Sequence, residues 1–423
     1  MNKDTAFQMG ASNLRFGVGT TREIGMDLSD MGLKRVLVIT DPNLVDLPPV
    51  QTARESLESE GIDLFDRVRV EPTDISFKDA IAVATEGTYE GYVAIGGGSS
   101  IDTAKAANLF ATYPDDFFAY INAPIGQGKP VPGAVKPLFA IPTTAGTGSE
   151  TTGVAIMDLS DRHVKTGIAH RYLKPDLAIV DPENTRTMPP SIAAATGLDV
   201  LCHALESFTA IPYTERPRPN RPIERPAYQG ANPISDMWAL KAIEMTTQYL
   251  PRAVRNPDDD EARAQMILAA SLAGIGFGNA GVHLCHGMSY PVSGMVRDFK
   301  PKGMVTDHAI IPHGMSVVLN APPVFRFTGP ARPDRHLRAA QIMGADISSA
   351  SPYEAGHILA DQIVALMKQL EVPNGLSAIG FTESDIPALV EGTLPQHRVT
   401  KLSPRPAEAE DLESLFKDAM VAW

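Results

Sequence analysis

Asp199 and His203 stand four positions apart in the helical stretch LDVLCHALESF, which puts both side chains on one face. Four of the ten histidines, His283, His286, His308 and His313, fall in one short region, within the segments HLCHGMSYP and DHAIIPHG. Carboxylate and imidazole are the donors that a divalent first-row ion accepts. One carboxylate with three imidazoles leaves a coordination position open for substrate, and Fe(II) and Zn(II) both suit that set. Any one of these histidines alone reads as a structural or surface residue; together they read as a binding constellation.

A second chemistry lies earlier in the chain. The apolar run Tyr92 to Ile95 reads as a buried strand, followed at once by Gly96, Gly97, Gly98 and Ser99 and then a helical pattern from Ile101. Glycines in a strand-to-helix turn let the backbone approach a diphosphate, while the amides and dipole of the helix start supply partial positive charge. The spacing is not that of the GxGxxG fingerprint. The loop Pro142 to Glu150, PTTAGTGSE, also follows an expected strand, and its glycines and the hydroxyls of Thr143, Thr144 and Thr147 suit ribose, phosphate or amide contacts. Two such loops favour a dinucleotide. Asp41, at the end of the strand Val36 to Thr40, is placed to accept from ribose hydroxyls and to repel a 2′-phosphate, which favours NAD over NADP; it is equally an Asp-Pro turn starter.

The elements that must position these groups divide the chain in two. Up to about residue 190, short β-rich runs (Val36 to Thr40, Tyr92 to Ile95, Leu138 to Ile141, Leu177 to Val180) alternate with helical patterns, as in a sheet of βαβ units. From Ser191 the pattern is helical, with amphipathic stretches such as Glu261 to Ala273 and Ala355 to Leu370. The expected architecture is an α/β dinucleotide-binding domain over 1–190 and an all-α metal-binding and substrate domain over 191–423. Between Pro212 and Pro226, prolines interleave with Arg216, Arg218, Arg221 and Arg225. That density of proline predicts an irregular excursion, either a solvated loop or an anion-attracting flap.

Composition narrows the function classes. Acidic residues exceed basic ones, 50 against 37, for a net charge of −13, which argues against a nucleic-acid partner, since phosphate binding requires a basic face. Two cysteines, Cys202 and Cys285, are too few for a disulfide scaffold. The N-terminal residues lack a continuous apolar stretch and no run of 18 apolar residues occurs, so neither a membrane partner nor a secretory signal is expected.

GGGSSIDTAK, PTTAGTGSE, DVLCHALE, HGMSYP and PHG, in that order and spacing, resemble the motif set of the iron-containing alcohol dehydrogenases over nearly the whole chain. The resemblance implies a homodimer or higher homo-oligomer that takes alcohol/aldehyde or hydroxy acid/oxo acid substrates, with NAD and Fe(II), or else Zn(II). It implies Asp199, His203, His286 and His313 as metal ligands. It assigns Gly97, Gly98, Ser99, Asp102, Thr143, Thr144 and Thr147 to the cofactor, and Lys165, in VKTGIA, as the lysine that reaches it. Many members carry a second histidine four positions after the ligand at His286; this chain has Tyr290 there, which leaves Tyr290 or His283 to carry protons.

The blocks VRVEPTD, AYINAPIGQGKPVP, RPAYQGANPISD, GIGFGNAGVHLCHGMSYPVSG and GTLPQHRVTKLSPRP are similar to one branch, the hydroxyacid-oxoacid transhydrogenases. In that branch a hydride passes from 4-hydroxybutyrate to NAD and on to 2-oxoglutarate. Because no Arg-rich presequence precedes the match, a cytoplasmic location is expected. A carboxylate on the substrate needs a cation, and the basic candidates are the excursion arginines with Arg398, Lys401 and Arg405. The competing expectations are an ordinary NAD-dependent alcohol dehydrogenase, a lyase resembling dehydroquinate synthase, which would need a conspicuous basic cluster, and a non-catalytic assembly protein, which would leave four metal-spaced ligands without a purpose.

Overall fold

A computed structural model of the 423-residue chain describes residues 2–57, 61–161, 164–303, 306 and 309–423. Two compact units emerge: one is Gly10–Met188, the other Pro189–Trp423 together with Met1–Met9.

In the first unit, β1 (Asn13–Phe16), β2 (Arg35–Ile39), β3 (Gly61–Phe65), β4 (Gly91–Gly96), β5 (Leu138–Pro142) and β8 (Leu177–Val180) form a parallel sheet in the order β1-β8-β5-β4-β2-β3. The side-chain alternation of a strand builds two cores from one sequence. Leu37, Ile39, Tyr92 and Ala94 enter one cluster, while Val36, Val38, Val93 and Ile95 enter the other. Burial of all six β4 residues fits a strand covered on both faces. β6 (Val154–Leu159) and β7 (Val164–Ala169) pair antiparallel, over a third cluster that includes Phe77, Leu109 and Met157. The chain leaves β2 toward β3 and leaves β4 toward β5, so the order reverses between neighbouring strands β2 and β4. That reversal opens a crevice at their carboxyl ends, where Asp41 and the glycine turn lie, and open α/β sheets bind ligands at such points.

The second unit is helical. Pro190–Thr209 starts with proline in its first turn, where no amide is needed, and runs through alanines into the buried stretch LDVLCHALESF. Pro233–Arg255 is capped by the Asn232 side chain and Asp260–Ala280 by that of Asp259. Leu284–Gly294 and His313–Val318 complete the frame of the site. The proline-arginine excursion contains only single turns, Tyr213–Glu215 and Pro222–Glu224. N-terminal residues pin it: the Asp4 amide donates to the Arg216 carbonyl at 2.8 Å, and Arg225 makes two 2.9 Å bonds to the Asp4 carboxylate. No single helix among the described residues is long and apolar enough to cross a membrane. The pair Asp260–Ala280 and Leu284–Gly294 meets that length and composition only together, across a 105° bend.

Candidate metal and cofactor sites

Asp199 and His203 come from the Pro190–Thr209 helix, His286 from Leu284–Gly294, and His313 begins His313–Val318. Ligand atoms of Asp199, His203 and His286 all lie within 4.8 Å of one another, and the three residues are buried. Asp199 Oδ1 is 3.5 Å from His286 Nε2, and Asp199 Oδ2 is 3.8 Å from His203 Nδ1. His313 sits beside this trio with its ring 5.5 Å from that of His286. His308 lies outside the described residues. Asp199 Oδ1, His203 Nδ1 and His286 Nε2 are buried without hydrogen-bond partners. Convergent polar atoms that nothing in the protein satisfies are costly unless a further group completes them, and a divalent cation fits this donor set. Burial pushes the Asp199 carboxyl up, but the imidazoles of His203, His313 and His286 outweigh it and hold the group well below the usual carboxylate range.

The histidine-glycine pairs have a steric reason. A Cβ on Gly314 would come 2.0 Å from the Ala195 carbonyl, so only glycine lets the His313 helix start this close to the Asp199 helix. A Cβ on Gly287 would lie 2.8 Å from Thr400 Cγ2, so the chain near residue 400 likewise packs directly against the His286 helix.

Sequence reading overlooked Glu206, although it falls three positions after His203 and seven after Asp199, on the same helix face. Fully buried, its Oε1 accepts the amides of His283, Cys285 and His286 at 3.1, 2.7 and 3.4 Å, and its Oε2 accepts from His286 Nδ1. An ionised carboxylate only accepts, so Nδ1 carries a proton and Nε2 is the His286 nitrogen turned to the cluster, the one a cation would engage. Burial raises the Glu206 pKa, but His286 and His283 more than offset this and bring it down to about 2.

Of the two proton-carrying candidates, His283 has no exposed surface. Its Nε2 is 3.0 Å from Thr209 Oγ1, and burial lowers it to about 4. Tyr290 stacks near His313 at 6.5 Å between ring centres, and its hydroxyl accepts from Arg398 Nη2 at 2.7 Å. Cys202 and Cys285 are buried free thiols.

In the α/β unit, Gly97 precedes the helix Gly98–Thr112 and Thr143 donates its amide to the Gly96 carbonyl at 3.1 Å. A Cβ on Gly98 would meet Thr147 Cγ2 at 2.7 Å, so the two loops form one cradle with Thr144 and Thr147 against the glycines. Asp102 accepts from Ser149 Oγ at 2.5 Å and from the Ile156 amide at 2.9 Å, tying the second loop and β6 to the helix. Lys105, also overlooked though it closes GGGSSIDTAK, is buried and donates to the Ser149 and Val154 carbonyls at 2.8 Å each and to Ser149 Oγ at 2.6 Å. Lys165 pairs with Glu71 at 2.7 Å and Asp158 at 3.1 Å; burial opposes its charge, and the two carboxylates more than restore it. Glu71, at a strained φ of 55°, also donates its amide to Ser99 Oγ at 3.2 Å, which links the first loop to Lys165. Asp41 is buried, and its Oδ1 accepts the Asn43 amide at 2.9 Å in a turn; burial raises its pKa.

Residues 11–182 match the family described as iron-containing alcohol dehydrogenase, and residues 223–420 match the Fe-containing alcohol dehydrogenase family, C-terminal. The chain is 57% identical to hydroxyacid-oxoacid transhydrogenase, mitochondrial, of Bos taurus and 56% identical to that of Homo sapiens, in each case over 99% of this chain and 90% of the relative. The probable counterpart of Dictyostelium discoideum is 57% identical over 100% of this chain and 80% of its own length. Among solved structures, 1,3-propanediol oxidoreductase superposes with a TM-score of 0.85 at 26% identity, covering 98% of this chain and 100% of that one. Sulfoacetaldehyde reductase from Bifidobacterium kashiwanohense, solved in complex with NAD+, gives 0.81 at 27%, covering 99% of each. The relatives' names correct the cytoplasmic expectation, since all three are named mitochondrial. That expectation rested on seeing no Arg-rich presequence, and such a segment is removed from a mature protein and has no part in the fold. Matched in both halves, and by near-full-length relatives far above 30% identity, this chain belongs to the iron-containing alcohol dehydrogenase family.

Proposed function

We propose that this chain is a hydroxyacid-oxoacid transhydrogenase that oxidises 4-hydroxybutyrate to succinic semialdehyde and reduces 2-oxoglutarate to 2-hydroxyglutarate through one NAD. The observation that carries the reading is the identity of 56–58% to relatives of that name over 99% of this chain. Asp199, His203, His286 and His313 would hold a divalent ion, Fe(II) in this reading. Bound there, the ion would supply Lewis-acid polarisation of the substrate oxygen, and the dinucleotide would supply a hydride acceptor and donor.

The remaining chemistry belongs to the chain's own side chains. Glu206 keeps the His286 proton on Nδ1. Gly97, Gly98, Ser99, Thr143, Thr144 and Thr147 cradle the dinucleotide, with Asp102 and Lys105 holding the two loops together and Lys165 beside Ser99 through Glu71. Asp41 selects NAD by facing the ribose. Tyr290 Oη accepts from Arg398 and keeps its own proton to share with the substrate oxygen, a role that suits it better than the wholly enclosed His283. The assembly in this reading is a homo-oligomer, which sedimentation of purified protein tests.

Incubating the protein with 4-hydroxybutyrate deuterated at C4, 2-oxoglutarate and a large excess of unlabelled NADH tests the reaction. Undiluted label in 2-hydroxyglutarate supports transfer through a retained cofactor. Label diluted into the free pool returns the chain to the ordinary alcohol dehydrogenases, and no 2-hydroxyglutarate at all refutes the substrate pair.

A further inference from the structure

Both acids of the proposed reaction carry a carboxylate at the same distance from the reacting carbon. In 4-hydroxybutyrate the carboxylate carbon is three bonds from the carbinol carbon; in 2-oxoglutarate the distal carboxylate carbon is three bonds from the ketone carbon. A single cation at one fixed position would therefore orient either acid.

Of the cations flagged by the sequence, Arg218, Arg221, Lys401 and Arg405 are exposed, Arg216 is half-buried beside Asp4 and Arg225, and Arg225 is held by both oxygens of Asp4. Arg405 lies over the Phe327 ring. Arg398, in the short helix His397–Thr400, is different. Its Nη2 donates to Tyr290 Oη at 2.7 Å and its guanidinium lies over the Tyr228 ring, 5.0 Å from the centroid. Its Nη1 is buried with no hydrogen-bond partner. Among the described residues no carboxylate forms an ion pair with it. A guanidinium that is held by two tyrosines, with one buried nitrogen unsatisfied, is arranged to receive an anion from outside the protein.

Its location fits a substrate anchor. Tyr290 follows His286 by four residues on one helix face, so about 6 Å along the axis separates the two. The Tyr290 ring also stacks near His313, so the guanidinium stands one tyrosine ring away from the expected metal ligands. Thr400 packs where Gly287 has no side chain, and the Leu402 carbonyl accepts the Ile211 amide at 3.0 Å, which fixes the segment on either side.

We propose that Arg398, held by Tyr290, is the common anchor for the distal carboxylate of both the hydroxy acid and the oxo acid, and so sets the selectivity for acids over plain alcohols. The proposal rests on the transhydrogenase reading for the identity of its substrates. Arg398 replaces an alcohol's need for apolar contacts with an ion pair made through Nη1, the nitrogen left without a partner once Nη2 is engaged by Tyr290. The same arginine serves each half-reaction because the reacting carbon lies at the same reach.

The test compares wild type, Arg398→Gln and Arg398→Lys as metal- and NAD-loaded proteins, with metal content and Tm recorded for each. In Arg398→Gln the preference for 4-hydroxybutyrate over butan-1-ol, as a ratio of kcat/KM values, is expected to fall about 10- to 100-fold. The KM for 2-oxoglutarate should rise by a matching factor, the size expected for losing a charge-assisted hydrogen bond. Arg398→Lys should recover part of both. Equal losses with the acid and the alcohol would assign Arg398 a structural role and overturn the proposal, as would an effect on only one of the two acids. If wild type does not interconvert the pair, the transhydrogenase reading has failed. The anchor is then judged from calorimetric binding of butyrate: weaker binding in a metal-replete Arg398→Gln protein supports it, and unchanged binding refutes it.

Discussion

Replacing Glu206 by glutamine tests how the chain prepares His286 for a metal. Three backbone amides, those of His283, Cys285 and His286, converge on Oε1, and only the imidazole faces Oε2. Glutamine can therefore keep a carbonyl oxygen at the Oε1 position and satisfy the same amides. Its NH2 then stands where Oε2 was, facing Nδ1, and two donors cannot share a proton position. The imidazole is driven to carry its proton on Nε2, the nitrogen 3.5 Å from Asp199, and its lone pair turns away from the cluster. Losing a carboxylate that orients a ligating imidazole costs ~10- to 100-fold in metal affinity, or about 1.4–2.8 kcal/mol. The fold should survive, because one charge-assisted hydrogen bond is worth roughly 1.5–3 kcal/mol. Alanine, by contrast, would leave three buried amides unsatisfied at about 1–3 kcal/mol each, enough to compromise folding and confuse the readout. The assay is competition for Zn(II) between metal-stripped protein and a chelator of known affinity, with Tm measured alongside. A folded Glu206→Gln protein that binds Zn(II) within twofold of wild type would show that Glu206 does not orient the ligand, and the reasoning would fail.

Alanine at His203 or His286 should abolish metal binding and turnover together, whereas normal metal content by elemental analysis in both variants would remove them from the ligand set. Gly314→Ala should destabilise the protein by about 1–3 kcal/mol, the usual range for overpacking, because its Cβ would stand 2.0 Å from a backbone carbonyl; an unchanged denaturation midpoint would contradict that geometry. Asp41→Ala should shift the NAD to NADP preference toward NADP by ~1–3 kcal/mol, and an unchanged ratio of kcat/KM values would leave Asp41 as the turn residue its Asn43 bond makes it. Lys174, whose pKa burial lowers to about 8, binds a proton more weakly folded than unfolded. Its contribution is fully present above the unfolded value near 10.5 and is lost as pH falls through about 8, so Lys174→Met should flatten the rise in Tm between those pH values; a slope equal to that of wild type would disprove the assignment.

The two layers of this fold differed in how plainly the sequence displayed them. Strands such as β4 and β5 are uninterrupted apolar runs because helices cover both faces of a parallel sheet, and that pattern survives in one dimension. The expected strand Val36 to Thr40 proved to be Arg35–Ile39, since Thr40 already leads into the Asp41 turn. Asp199 with His203 was legible because four residues return a helix to the same face. Glu206 obeys the same periodicity, yet a buried glutamate gives no sign of what it faces until the His283 segment folds onto it. Lys105 was hidden for a related reason: its partners are mostly carbonyls and a hydroxyl on a loop some forty-five residues later, and backbone acceptors leave no trace in composition.

The histidine-glycine pairs join the two kinds of information. In His286-Gly287 and His313-Gly314 the histidine specifies what is bound, and the glycine specifies how near a second segment can come. Without a side chain at 314 the Asp199 helix reaches His313; without one at 287 the Arg398 segment reaches the His286 helix. A larger residue at either place would leave every ligand present in the sequence and separate the elements that bring them together. Packing at these two glycines therefore acts on chemistry through distance. It follows that Gly287→Ala, whose Cβ would meet the movable end of Thr400 rather than backbone, should disturb Arg398 more than the metal. The expected signature is a raised KM for 4-hydroxybutyrate at normal metal content, and metal loss without a change in KM would reverse that order of influence.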